Sequence, residues 1–318
     1  MDKIPLVIIV GPTAVGKTAC AIELAKKLDG EIISADSMQI YKYMDIGTAK
    51  PTEEEKQGIP HHMMDFLDPS VDFSVAQFQQ MAQEIIHQIH QRGKIPIVVG
   101  GTGLYVNSLI YPMNFTDACM DQEYRQKMQE LAMEKGNAFL HGMLRECDPE
   151  TAERLHPNDL RRIIRALEVY HLTGKTMSQF KQDFAQLESP YRLCMIGLTM
   201  NREKLYERIN QRVDQMIQNG LVKEVRFLMD MGYKRDMISM QGLGYKEMFQ
   251  YLEGELSLEE ATEIIKRDTR RFAKRQYTWF RRDKRIKWVD VEKFNSKEEL
   301  TKHLLGLVNE SVELNEKH

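Results

Sequence analysis

Residues 6–24 read LVIIVGPTAVGKTACAIEL, and the fold follows from them. Leu6 to Val10 is an apolar run of strand length. Gly11, Pro12, Thr13, Ala14, Val15, Gly16, Lys17 and Thr18 then form a complete G-x-x-x-x-G-K-T. Ala21, Ile22, Leu24 and Ala25 continue as a helix that Asp29-Gly30 ends. Strand, glycine loop and helix in that order are the context in which this motif cradles phosphate. The glycines let backbone N–H groups close around phosphate oxygens. The helix N-terminus adds partial positive charge. Lys17 supplies a full charge, and the Thr18 hydroxyl is a ligand for Mg²⁺. A bound di- or triphosphate is expected; the loop alone does not say which.

The 318 residues are 42% hydrophobic and 29% charged, a globular composition able to bury one large core or two modest ones. The N-terminal apolar run is too short for a membrane span and leads straight into the phosphate loop, so it is not read as a signal peptide. Cys20, Cys119, Cys147 and Cys194 lack C-x-x-C spacing, so free thiols and no zinc site are expected, in the cytoplasm. Residues 266–287 hold eleven Lys or Arg against two Asp, a net of +9. The overall charge is −3, which leaves −12 for the rest. That segregation points to an anionic partner near the C-terminal third.

Strand-like runs at 6–10, 31–35, 95–99, 192–198 and 285–289 alternate with helical patterns. This predicts an α/β fold, a P-loop doubly wound parallel sheet. Sites in such folds form at the carboxyl ends of strands. Three polar clusters fall there: the phosphate loop, Asp36-Ser37-Met38-Gln39, and Gly100-Gly101-Thr102-Gly103. Ser74 and Gln77 make a capping box for a helix with Phe78, Met81, Ile85 and Ile89 as its stripe. His61 and His62 are adjacent, so their rings point apart and a shared metal is disfavoured. The strand pattern breaks over 111–187, which reads as a helical insertion domain. The expected division is therefore 1–110 with 188–318 as the catalytic core and 111–187 as the insertion.

Three groups of arginines have informative phase. In the insertion, Leu160, Ile163, Ile164 and Leu167 form a stripe, and Arg161, Arg162 and Arg165 lie off it. Arg161 and Arg162 occupy a first turn, where the helix dipole disfavours cations. Either a solvated face or an outside anion accounts for them. After the cap at Asn201, Leu205, Ile209, Val213 and Met216 share one face, and Arg212 falls inside it, with Arg208 on its flank. An inward arginine needs a carboxylate or a phosphate: an internal salt bridge or a diphosphate over the phosphate loop. A capping box at Ser257 and Glu260 opens a helix of about 25 residues. It is expected to present Arg267, Arg270, Arg271, Lys274, Arg281 and Arg282 outward, with Phe272, Ala273, Tyr277, Trp279 and Phe280 inward. That suits a phosphate backbone, with a merely solvated basic face as the alternative.

A phosphate loop commonly belongs to a kinase or triphosphatase, with an acid after a later strand to hold Mg²⁺. Here 95–99 ends in Gly100-Gly101-Thr102-Gly103, without an acid. Asp36 follows the second strand instead. It is either a general base, a helix cap, or a residue supporting Mg²⁺.

GPTAVGKT (11–18), ISADSMQIYKYMDIGTAKP (33–51), IPHHMMDFLDP (59–69), VVGGTGLY (98–105), RALEVYHLTGK (165–175) and KRQYTWFR (274–281) together resemble the bacterial tRNA dimethylallyltransferases, the IPP transferase family. The resemblance spans nearly the whole chain. It implies transfer of a dimethylallyl group from dimethylallyl diphosphate to N6 of adenosine 37 beside the anticodon of tRNA, with release of diphosphate. Residues 11–18 would hold the diphosphate with Mg²⁺ on Thr18. Asp36 would take the amine proton, and Lys17, Thr13 and Arg212 would stabilise the leaving group. The target base must leave its stack. Asp36, Ser37, Met38, Gln39 and Thr102 would grip it. Gln241, Gly242, Gly244, Tyr245 and Lys246 resemble a further RNA-contacting segment whose tyrosine could stack; an ordinary interhelical loop is the alternative. Tyr124, Arg125, Arg161, Arg162 and Arg165 would hold the anticodon arm. A monomer is expected. Competing readings are a small-molecule P-loop kinase, an RNA-binding protein without catalysis, and a prenyltransferase acting on free adenine nucleotides.

Overall fold

The computed structural model describes residues 3–111, 121–180 and 188–312. Cys119 lies outside them; Cys20, Cys147 and Cys194 are free thiols. Among the described residues, no helix is long and apolar enough to cross a membrane.

Six strands form one parallel sheet: β1 (Ile4–Val10), β2 (Gly30–Ala35), β3 (His61–His62), β4 (Ile95–Gly100), β5 (Tyr191–Thr199) and β6 (Lys287–Asp290). Their order is β3-β2-β4-β1-β5-β6. β1 and β2 are buried almost throughout, as strands covered by helices on both faces must be. The expected α/β fold is therefore what forms. β3, only two residues long, carries no pattern that a sequence reading would register. β6 begins two residues later than expected.

Among the described residues the helices include α1 (Lys17–Leu28), α2 (Glu53–Lys56), α3 (Val75–Gln91), α4 (Gly103–Ile110), α5 (Gln122–Lys135), α6 (Asn137–Cys147), α7 (Pro149–Arg154), α8 (Leu160–Thr173), α9 (Arg202–Gln218), α10 (Leu221–Asp230), α11 (Tyr245–Leu252), α12 (Leu258–Phe280) and α13 (Lys297–Val312). The capping boxes at Ser74 and Ser257 both form. In α3 the buried stripe is Phe78, Ala82, Ile86 and Ile89, and Met81 is exposed. The expected stripe is thus rotated about Phe78, which it shares with the observed one and which stacks on Tyr105 of α4 at 4.0 Å between centroids.

The chain divides into two compact units, Met1–Ile110 with Pro190–His318, and Tyr111–Ser189. In the first, Val7, Ile9, Leu24, Ile97 and Ile196 anchor the core around the sheet. A second cluster, built on Met44, Leu221, Tyr245 and Phe249, unites α10, α11 and the segment after β2. The other unit has its own core, centred on Leu140, Leu144, Ile163 and Leu167.

Candidate functional site

The order β2-β4-β1 brings three loops side by side, one from the carboxyl end of each strand. They are the phosphate loop after β1, Asp36–Gln39 after β2, and Gly100–Gly103 after β4. Ala35 pairs in register with Gly100, which fixes the last two against each other. With α9 they enclose a cavity of about 530 Å³ lined by Thr13, Lys17, Thr18, Asp36, Gly101 and Arg212, among others.

The phosphate loop alternates its backbone handedness. Ala14 has φ 64° and Gly16 φ 103°, both left-handed. For alanine that conformation is strained, and it persists here because it builds a concave nest of N–H groups. Lys17 Nζ curls back to donate to the carbonyls of Pro12 at 2.8 Å and Gly11 at 3.0 Å. Burial of that ammonium lowers its pKa to about 8; Asp36 opposes the shift and Arg212 adds to it.

Asp36 Oδ1 accepts from the Met38 amide at 2.9 Å and the Gln39 amide at 3.4 Å. No helix begins here, so the helix cap expected as one alternative does not form; the carboxylate instead closes its own turn. It uses a single oxygen and leaves the other carboxylate oxygen without a hydrogen bond among the described residues. Closing the turn and proton acceptance are compatible. Thr102 seals the same loop: its Oγ1 accepts from the Ser37 amide at 3.1 Å.

Arg212 has neither an ion pair nor a hydrogen bond among the described residues. Burial lowers its pKa, and Asp36 and then Glu55 oppose that. The internal salt bridge offered by the sequence is absent, so the guanidinium confronts the cavity beside Lys17. Two converging cations and a nest of amides make an anion site, and an adjacent carboxylate makes a proton acceptor.

Mg²⁺ fits this donor set. The Thr18 hydroxyl is an exposed hard oxygen on the cavity wall. Mg²⁺ takes few protein ligands when phosphate oxygens complete its shell. Among the described residues no group of three or more His, Cys, Asp or Glu could hold a metal by itself.

Gln276 escaped the sequence reading. It lies on α12, 5% exposed. Its Oε1 accepts from the Thr13 amide at 2.8 Å, and its Nε2 donates to Gly101 O at 3.1 Å. One side chain thus ties the first loop to the third. A β-carbon at residue 101 would lie 2.0 Å from that Nε2, so any side chain there would push the Gln276 amide off its bridge. The signal was available: Ala273, Gln276 and Phe280 share the buried helical face.

Other expected residues have different surroundings. Gln39 lines the cavity, but its amide is engaged internally, accepting from Ser34 Oγ at 2.9 Å and donating to Thr48 O and Ala49 O. Tyr245 was expected to stack on a base; it is 1% exposed and donates to Glu224 at 2.6 Å, so its ring cannot be presented to RNA. Lys246 pairs with Glu247, Gln241 donates to Arg235 O, and Gly242 packs under Met38. Gly244 starts α11 with φ 93°. Trp279 was expected inward and is 40% exposed, with its indole over Gly103. On α12, Arg267 and Arg271 pair with Asp268, and Arg270 donates to Asn210. Lys274, Arg281 and Arg282 remain exposed.

In the helical unit, Tyr124 stacks on His171 at 4.3 Å. Arg125 makes two hydrogen bonds to Glu168, at 2.8 and 2.9 Å, and Arg165 reaches the same carboxylate at 2.6 Å. Glu168 is fully buried. Burial alone would raise its pKa, but Arg125 and then Arg165 bring it below the usual carboxylate range. These three expected RNA contacts therefore already hold their own unit together. Arg162 pairs with Asp159 at 3.3 Å and stays exposed, and Arg161 is exposed with no partner among the described residues.

The model of the IPP transferase family matches residues 39–283. The phosphate loop lies upstream of that match and is an independent observation. The tRNA dimethylallyltransferase of Carboxydothermus hydrogenoformans is 57% identical over 300 residues, 94% of this chain and 96% of that one. The full-length tRNA isopentenylpyrophosphate transferase of Bacillus halodurans superposes with a TM-score of 0.72 at 48% identity, covering 98% of this chain and 99% of that one. A eukaryotic dimethylallyltransferase acting on tRNA gives a TM-score of 0.75 at 32% identity, over 91% of this chain and 74% of that one.

Proposed function

We infer the reaction from one premise: this chain belongs to the IPP transferase family. It is a tRNA dimethylallyltransferase, moving the dimethylallyl group of dimethylallyl diphosphate to N6 of adenosine 37 in tRNA. The observation that carries this reading is the juxtaposition in one cavity of unpartnered Arg212, the phosphate loop and Asp36.

In the step so drawn, the N6 amine attacks the allylic C1. The N6–C1 bond forms as the C1–O bond breaks, and diphosphate departs with the bonding electrons. Lys17, Arg212 and the loop amides bind the oxygens on which charge grows, and so act most strongly in the transition state. An exocyclic adenine amine is a weak nucleophile, and Asp36 accepts its proton as the bond forms. Thr18 would hold Mg²⁺ jointly with the diphosphate, and the ion would neutralise charge on the leaving group. Gln276 keeps the loops at a fixed separation. No acid follows β4, which suits a transfer in which no water is aimed at a γ-phosphate.

The helical unit would hold the anticodon arm through Arg161 and Arg162, with the exposed end of the α12 stripe as a second basic surface. We read the protein as a monomer working in the cytoplasm. Mass spectrometry of an anticodon stem-loop incubated with the protein, Mg²⁺ and dimethylallyl diphosphate tests the proposal. A single prenyl adduct on the adenosine 3′ of the anticodon is expected. Steady phosphate release from ATP, indifferent to RNA and without an adduct, would favour a kinase or triphosphatase.

A further inference from the structure

The segment after Asp36 is held from behind by a carboxylate that the reaction itself does not use. Glu224 stands in the first turn of α10. Its Oε2 accepts from the amides of Ile46 at 2.8 Å and Asp45 at 3.0 Å. Its Oε1 accepts from the Gly47 amide at 3.1 Å and from the Tyr245 hydroxyl at 2.6 Å. Three consecutive backbone N–H groups converging on one carboxylate form a nest with a resident anion. The Tyr245 ring closes it: a β-carbon at residue 47 would lie 2.4 Å from that ring, so only glycine admits the tyrosine.

What the nest restrains leads back to the reacting carboxylate. Residues 45–47 run into Thr48 and Ala49, whose carbonyls accept from Gln39 Nε2 at 3.2 and 3.3 Å. Gln39 Oε1 accepts from Ser34 Oγ, and the Gln39 amide donates to Asp36 Oδ1. Thr48, Ala49, Gln39 and Asp36 all line the cavity. Met38, between the two ends, rests on Gly242. Lys50 clamps the far side of the loop, donating to Asp45 at 2.7 Å, Asp65 at 2.6 Å and Tyr41 O.

We propose that Glu224, with Tyr245, is a positioning residue for prenyl transfer, setting the orientation of Asp36 through the 45–49 loop and Gln39. The proposal rests on Asp36 as the proton acceptor. It also explains the glycine-rich 242–245 segment: its glycines and tyrosine buttress the catalytic loop from behind. Desolvation and the neighbouring Glu224 hold the Tyr245 hydroxyl well above its ordinary pKa, so it remains a donor.

Glu224→Gln tests this in the full-length protein. The amide keeps the shape, but it turns one acceptor oxygen into a donor facing backbone N–H groups. Outer groups that orient an inner one are worth about 10–100-fold. Single-turnover prenylation of an anticodon stem-loop should slow by about that factor, with the KM for dimethylallyl diphosphate changed by less than about threefold. Tyr245→Phe removes one hydroxyl and should slow the step only a few-fold; it covers the case in which Glu224→Gln fails to fold. The decisive readout is a cycle with Gln39→Ala. If the restraint passes through Gln39, the double variant is no slower than the slower single one. Independent, multiplying losses would overturn the route, as would a Glu224→Gln rate equal to wild type. Asp36→Asn is measured alongside. If it is slow while Glu224→Gln is normal, the positioning role alone is wrong. If Asp36→Asn turns over normally, the base assignment fails first.

Discussion

Arg212 of α9 and Arg165 of α8 are both long cations borne by helices in which neighbouring residues are buried, and they finish in opposite states. Arg165 joins Arg125 on the buried carboxylate of Glu168. Arg212 has no such partner and confronts a cavity already holding Lys17 and Asp36. The difference is one of supply. The helical unit provides its own counter-charge from within α8, three residues away. The catalytic unit provides for Arg212 only a carboxylate that already caps its own turn, and a phosphate loop of like sign. A guanidinium with no ion pair among the described residues, beside a nest of amides, is a donor set suited to an anion.

That contrast can be broken by experiment, starting where the effect is largest. Arg212→Gln keeps a polar side chain of similar reach and removes the charge. The chemical step is expected to slow by about 10²–10³, the usual cost of one donor to a developing anion, with the melting temperature nearly unchanged. Single-turnover rates and a thermal melt give both numbers. A normal rate with a lowered melting temperature would make Arg212 a structural cation like Arg165.

Glu168→Gln is the converse. Loss of roughly 2 kcal/mol of stability is expected, below the range for fully buried pairs because both arginines are about a third exposed. Chemical denaturation measures it. The sign of the pH dependence follows from the lowered carboxyl pKa. The contribution is fully present above the unfolded value, about 4.3, and fades as pH falls through the lower folded value. Wild type should therefore lose its advantage over the variant in acid; a difference that grows there would refute the pairing.

A smaller effect concerns Lys17. Only its protonated form suits a diphosphate, and burial sets its pKa near 8. Affinity for dimethylallyl diphosphate should weaken above that pH, by at most about tenfold per unit. Calorimetry in buffers of different ionisation enthalpy at pH 8.5 should register proton uptake on binding. A flat profile between pH 7 and 9 would contradict it. Smallest is Arg161→Ala: a few-fold loss in stem-loop affinity, and a salt slope reduced by about 1. An unchanged slope would leave the exposed arginines of α8 without an RNA role.

Much of this was legible in residues alone. A glycine loop between an apolar run and a helix has few structural solutions, so the cradle and the parallel sheet followed together. Polar clusters at three strand ends then located the cavity, because strand ends in such sheets share an edge. Phase also placed Arg212 inward. What helical period cannot convey is the identity of the neighbour. Arg165 read as facing solvent or an outside anion, and Arg125 as an RNA contact by resemblance, because Glu168, their shared partner, is one turn away in one case and on another helix in the other. Tyr245 read as a stacking ring because a tyrosine after glycines looks the same whether the glycines admit a base or the tyrosine itself. Gln276 is hard to read for a related reason: the charges of α12 mark its outer face, while the bridge between the loops is a neutral amide on its buried face. Met81 shows the limit of a stripe assigned without its partner: residues 81 and 82 both suit a helical period from Phe78, and only the packed neighbours decide that Ala82 is the buried one.

The central claim is spatial: one cavity holds a leaving diphosphate at Lys17 and Arg212 and a proton acceptor at Asp36. A crystal structure with a non-reactive thiolo analogue of dimethylallyl diphosphate and an anticodon stem-loop tests it most directly. The account predicts diphosphate oxygens within hydrogen-bonding distance of Lys17, Arg212 and the loop amides, with the adenine amine between C1 and the Asp36 carboxylate. Diphosphate bound elsewhere, or an amine facing away from Asp36, would contradict it.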